Sequence, residues 1–119
     1  MAKKRPIVNI ENKTEIHLEN ELFQNEVVRP VLKMQHEITL KLFNVHIKNL
    51  GIVWNDLKKS KKTQCVKNHL SKNIQFKNLV IGIVVGQFNE IELDKYLSNS
   101  KEYNKRILQM TSQRIISAI

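Results

Sequence analysis

The chain has 119 residues, 41% of them hydrophobic, a single cysteine and a formal net charge of +9. That length carries one domain whose core needs neither disulfide nor metal staples, and Cys65, without a thiol partner, a base or a ligand set beside it, reads as a free thiol in a reducing compartment. No apolar run approaches the roughly eighteen residues of a membrane span, and MAKKRPIVNIENK has no apolar stretch behind its basic residues, so the expectation is a cytoplasmic chain without leader or membrane segment.

In residues 1–20, Ile7, Val8, Ile10, Ile16 and Leu18 are scattered among charges and asparagines with no helical stripe. The segment reads as flexible, and residues 21–119 as one helical domain. NKT at Asn12–Thr14 has the form of a glycosylation sequon but means nothing without a secretory signal.

The spacing predicts a long helix over about 27–50. Pro30 suits a first turn, where its missing N–H has no partner to lose. Val31, Met34, Ile38, Leu42 and Val45 recur at intervals of three and four and make one apolar face. Leu32, Phe43, Ile47 and Leu50 broaden it, which predicts contacts on more than one side. Gly51 stands where the helix would end in a left-handed residue.

After a linker with Trp54 and Leu57, a more polar helix is expected over 60–72, its thin apolar line drawn from Cys65 or Val66, His69 or Leu70, then Ile74. Charge concentrates here. Between residues 51 and 78, seven lysines (58, 59, 61, 62, 67, 72 and 77) face Asp56 alone. Such a cluster can be an electrostatic footprint for nucleic acid. Lysine, asparagine and isoleucine are all abundant here, however, and AT-rich codons produce that without selection for binding. Only Arg5, Arg29, Arg106 and Arg114 are arginine, the residue that makes bidentate phosphate contacts. The lysine face therefore reads as solvated surface.

NLVIGIVVGQF, at 78–88, suits a buried strand or a buried helix, and periodicity does not separate them. On a helix, Gly82 and Gly86 would share a face open to close backbone approach. Asn73 can cap the element that follows the polar helix. NEIE at 89–92 is a capping-box signal, with Ile91, Leu93, Tyr96 and Leu97 as the expected buried side. Asn99 or Ser100 can cap a last helix, in which Tyr103, Ile107, Met110 and Ile115 alternate with Lys105, Arg106 and Arg114. That helix is expected to close a core and keep its basic face wet.

RPVLKMQHEITLKLF (29–43), LSKNIQFKN (70–78), QFNEIELDKYLSNS (87–100) and NKRILQM (104–110) resemble a family of small Bacteroidetes proteins often labelled "glyoxalase". The resemblance spans about 25–117. It implies an all-helical fold and tips 78–88 toward helix, but it brings no established role. Glyoxalase enzymes place metal-binding histidines and glutamates on β-strands. Here His17, His36, His46 and His69 are scattered, with no HxH or HxxxH pair. No nucleophile elbow, zincin motif or phosphate loop occurs either.

The sequence therefore reads as an all-α bundle of four or five helices around one long helix. The expected function is a non-enzymatic interaction or assembly module, with a homo-oligomer or protein partner and with no catalytic residues, cofactor or metal. Self-association through the long helix and the Gly82/Gly86 face fits that reading. The alternative is nucleic-acid binding through Lys58, Lys59, Lys61, Lys62 and Lys67. A glyoxalase-type enzyme is a second alternative, against which the residues weigh.

Overall fold

The computed structural model describes residue 15 and residues 17–119. The tail expected over 1–20 lies mostly outside them, but 17–20 are helical and Asn20 is buried. Six helices follow one another, and no strand occurs among the described residues. Helix α1 spans 17–34, with a π turn at Gln24–Val28 followed by Arg29–Met34. Then come α2 (His36–Asn49), α3 (Lys59–Lys72), α4 (Ile74–Val85), α5 (Glu90–Ser98) and α6 (Ser100–Ser117), with a 3₁₀ turn at Trp54–Asp56 between α2 and α3. The run at 78–88 is helix through Val85.

The long helix differs from its expectation at its start and in its middle. Pro30 does not start it. The helix begins earlier, and the π turn precedes the proline: Arg29 N–H reaches back to the Gln24 carbonyl. A wide turn there relieves the clash between a proline ring and the carbonyl four residues before it. The helix then breaks at Gln35 (φ −95°, ψ 8°). The Gln35 carbonyl accepts both the Thr39 N–H (2.9 Å) and the Thr39 hydroxyl (2.8 Å), a back-bond that bends helices. The far end is as expected: Gly51 has φ 77°, Ile52 N–H bonds the Ile47 carbonyl, and Gly51 N–H bonds that of Lys48.

Caps set the other junctions. Asn73 Oδ1 accepts the Phe76 N–H at 2.9 Å and starts α4. Asn89 and Glu92 complete the capping box of α5. Asn99 is the N-cap of α6 but makes no side-chain cap hydrogen bond.

The core is organised on α6 rather than on the long helix. Tyr103, Ile107, Met110, Thr111 and Ile115 are buried along one side of it. Val66 and Leu70 of α3 and Phe76, Val80 and Val84 of α4 complete the core that this side enters. The π turn and α5 also pack on α6. Phe23 lies on Tyr103, with ring centroids 4.7 Å apart. Phe43 of α2 meets Trp54 at 5.6 Å and Phe76 at 5.7 Å, edge to face.

That arrangement buries only part of the expected face. Val31 is buried and Leu42 half-buried, but Met34, Ile38 and Val45 are 60%, 51% and 49% exposed. Burial runs instead through Leu32, Phe43 and Ile47, three of the residues expected to broaden the face, and Thr39, while Leu50 is exposed. The spacing-of-four line through Phe43 puts an aromatic ring into the core, and that large apolar area outweighs the smaller aliphatic stripe. Two smaller expectations fail in the same way. In α5, Tyr96 is buried and Leu93 half-buried, but Ile91 and Leu97 are exposed. Gly82 and Gly86 are both exposed, and a Cβ on Gly82 would meet nothing within 4 Å, so among the described residues no other helix of the chain packs on them.

The Tyr103 side chain tests this core from both sides. Its ring is buried, and its hydroxyl finds no hydrogen-bond partner among the described residues. Removing an unsatisfied buried hydroxyl costs nothing, so Tyr103→Phe is expected to leave urea stability unchanged or raise it by about 1 kcal/mol. Ile107→Ala is expected to cost roughly 2–5 kcal/mol, and Ile91→Ala less than about 0.5 kcal/mol. Equal losses for the two isoleucines would contradict the packing.

Candidate functional site

Helices α3 and α4 lean on α6 through their buried lines and leave a groove of about 900 Å³ between their outer faces. Its floor is apolar: Leu70 of α3, Ile81 of α4, and Leu108 and Ile116 of α6. Four lysines border it, Lys67 from α3, Lys77 from α4, and Lys101 and Lys105 from one face of α6. Asn78, Gln109 and Ser112 add hydrogen-bonding groups, while the Asn104 carboxamide accepts from the Tyr96 hydroxyl. No carboxylate, histidine, thiol or aromatic ring lines the groove.

The lysines differ in what they already touch. Lys77 Nζ donates to the Ser71 carbonyl at 3.3 Å, close to the C-terminal end of α3, where a cation complements the helix dipole. Lys67, Lys101 and Lys105 are exposed and have no ion-pair partner among the described residues. Elsewhere on α6, Arg106 is held by Glu102 at 3.0 Å and by the Gln24 side chain at 2.7 Å.

Of the five lysines that sequence singles out, only Lys67 reaches this groove. Lys58 is the N-cap residue of α3, and Lys59 and Lys61 are exposed in its opening turn. Lys62 sits 5.6 Å over the Trp54 ring. Eight residues along a helix separate Lys59 from Lys67 by about 12 Å. The cluster is therefore spread along α3, with its opening turn carrying lysines and no acid at the positive end of the helix dipole. Lys101 and Lys105 escape a reading by segment. Their four-residue spacing marks one face, but only packing brings that face to Lys67 and Lys77.

The histidines also differ from their scattered appearance. His46 of α2 and His69 of α3 meet, with Nε2 of one 3.0 Å from Nδ1 of the other. His46 stacks on Phe76 at 4.8 Å, and His69 meets the edge of Phe43. Burial first, and the neighbouring His46 second, hold the His69 pKa below the ordinary histidine value. Cys65, one turn before His69, is half-buried, and burial raises its thiol pKa. Among the described residues no three His, Cys, Asp or Glu side chains gather as a metal site. His36 lies apart on α2, and His17 pairs with Glu21 at 3.0 Å.

Among the described residues no helix is long and apolar enough to cross a membrane. Comparison with family models, with curated proteins and with solved structures found no match.

The histidine pair has a consequence for pH. A hydrogen bond between two ring nitrogens needs one of them unprotonated; with both rings cationic, two N–H groups face each other. A folded pKa held below the unfolded value of about 6.5 means that the unfolded chain binds more protons between the two values. Stability is thus full above about pH 6.5 and falls as pH drops through the folded pKa. Tm is expected to decline from pH 7.5 to 5.5, and His69→Gln to flatten that decline. An identical slope in the variant would remove the pair as its cause.

Proposed function

We propose that the protein is a non-enzymatic interaction module whose α3–α4–α6 groove receives an acidic, amphipathic segment of a partner protein. The observation that carries this reading is the groove's composition: four lysines and no carboxylate around an apolar floor. Lysine stems lie along apolar surface while their ammonium groups reach solvent, so one groove offers burial and charge together. A helix or strand alternating acidic and aliphatic residues meets both needs.

Nucleic acid is the less suitable occupant. Single strands are bound by aromatic platforms interleaved with charge, and phosphates and bases by arginine forks. The groove has neither. The lysines at the opening of α3 add sequence-independent attraction to any polyanion, which salt screens. Enzyme chemistry has no support there, since no nucleophile is paired with a histidine, carboxylate or thiol. A glyoxalase-type site would need strands, and the described residues form none.

Fluorescence anisotropy at physiological salt with two labelled probes separates these readings. One is an amphipathic peptide of Glu and Leu; the other is poly-glutamate of equal charge. The amphipathic peptide is expected to bind more tightly, and Lys101→Glu with Lys105→Glu to weaken it at least about tenfold. Equal binding of both probes, indifferent to those substitutions, would discard the groove. If instead an oligonucleotide is held tighter than about 1 μM and Lys61→Ala with Lys62→Ala abolishes it, nucleic-acid binding becomes the function.

A further inference from the structure

On the other flank of α6, its last turns face α1 across a separate cleft of about 660 Å³. Arg29, Lys33, His36 and Arg114 line it, with the Asn25 and Gln113 amides, and no carboxylate does. We propose that this cleft is a binding site for a small oxyanion, a phosphate or carboxylate group, held by the guanidinium groups of Arg29 and Arg114.

Three observations converge on it. The first is the state of Arg114: its Nε is buried and has no hydrogen-bond partner among the described residues. A buried guanidinium nitrogen without an acceptor is costly, and an oxyanion is the acceptor its fork fits best. The second is the use of arginine itself. The chain holds sixteen lysines and four arginines. A codon bias toward lysine leaves arginine where its fixed, planar donors matter. Of the three arginines among the described residues, Arg106 is spent on Glu102 and Gln24. The other two both line this cleft.

The third observation is charge. Arg29, Lys33 and Arg114 bring three cationic side chains to one cleft. Arg29 uses its Nε on Asn25 Oδ1 at 2.9 Å, which steadies the side chain and leaves its terminal nitrogens to donate elsewhere. Like charges held together repel, and an anion between them reverses the sign of that energy. Below the cleft, His36 and Arg114 also line a recess of about 10 Å³, which has room for a single water and nothing larger. A polyatomic anion therefore occupies the outer cleft.

Isothermal titration calorimetry of the full chain at constant ionic strength tests this, with inorganic phosphate in one arm and succinate in the other. Saturable binding at millimolar concentration or below is expected in at least one arm, and which arm responds identifies the group recognised. Arg114→Gln and Arg29→Gln are each expected to weaken it at least about tenfold, the cost of losing a charged hydrogen bond. Arg114→Lys, which keeps the charge but loses the fork, should fall between. Circular dichroism melts establish that each variant is folded, and Lys41→Gln, outside the cleft, should bind as the parent does. No saturable heat in either arm, or equal heat in the parent and both folded glutamine variants, would overturn the proposal.

Discussion

Helix α6 can bury only one side, and both surface clefts follow from which side it buries. Tyr103, Ile107, Met110, Thr111 and Ile115 form a line that α1, α3, α4 and α5 share. Cylinders that touch along a buried line diverge above it, so each flank of α6 borders a wedge open to solvent. One wedge, against α3 and α4, is lined from α6 by Lys101, Lys105, Leu108 and Gln109. The other, against α1, is lined by Arg114 and Ser117. Gln113 borders both.

The charge balance then decides what those wedges can do. The chain carries 20 basic and 11 acidic side chains, so basic groups must remain without acidic partners. The acids that are paired among the described residues line neither cleft: Glu19 holds Lys95 at 2.5 Å, Glu102 holds Arg106, and Glu21 meets His17. Exposed ion pairs of this kind stabilise little, so stability does not depend on where the remaining cations sit. Their concentration beside an apolar floor in one cleft, and beside a half-buried arginine with an unpartnered Nε in the other, gives the two clefts different ligand chemistry. The first suits an extended acidic surface, the second a single oxyanion.

Several local signals in the sequence held because their causes are local, although Pro30 does not start the long helix and Asn99 makes no side-chain cap hydrogen bond. Asn73, the Asn89–Glu92 box and Gly51 act through hydrogen bonds or backbone angles spanning a few residues, and each is where its residue type places it. The buried line of α6 was legible for the same reason, since its four large residues recur at helical spacing. What spacing did not show was which of two competing faces wins. From the end of α1 into α2, the aliphatic stripe through Met34, Ile38 and Val45 and the line through Thr39, Phe43 and Ile47 both have helical periods. The choice depends on Trp54, His69 and Phe76 closing around Phe43. The groove was illegible for a related reason. Its lysines come from three helices, and the dense run in sequence, Lys58 to Lys62, lies outside it. The meeting of His46 and His69, 23 residues apart, left no signal at all.

The groove assignment is tested most directly by residue-resolved NMR of the labelled chain during titration with the amphipathic Glu–Leu peptide. Three surfaces compete for such a ligand: the α3–α4–α6 groove, the lysine-rich opening of α3, and the exposed aliphatic stripe that runs from Met34 of α1 to Val45 of α2. The expected result is saturable shifts at Lys67, Lys77, Ile81, Lys101, Lys105 and Leu108, with Lys59, Lys61, Ile38 and Val45 unmoved. Shifts confined to Lys58–Lys62 or to Met34, Ile38 and Val45, with the groove residues silent, would contradict it.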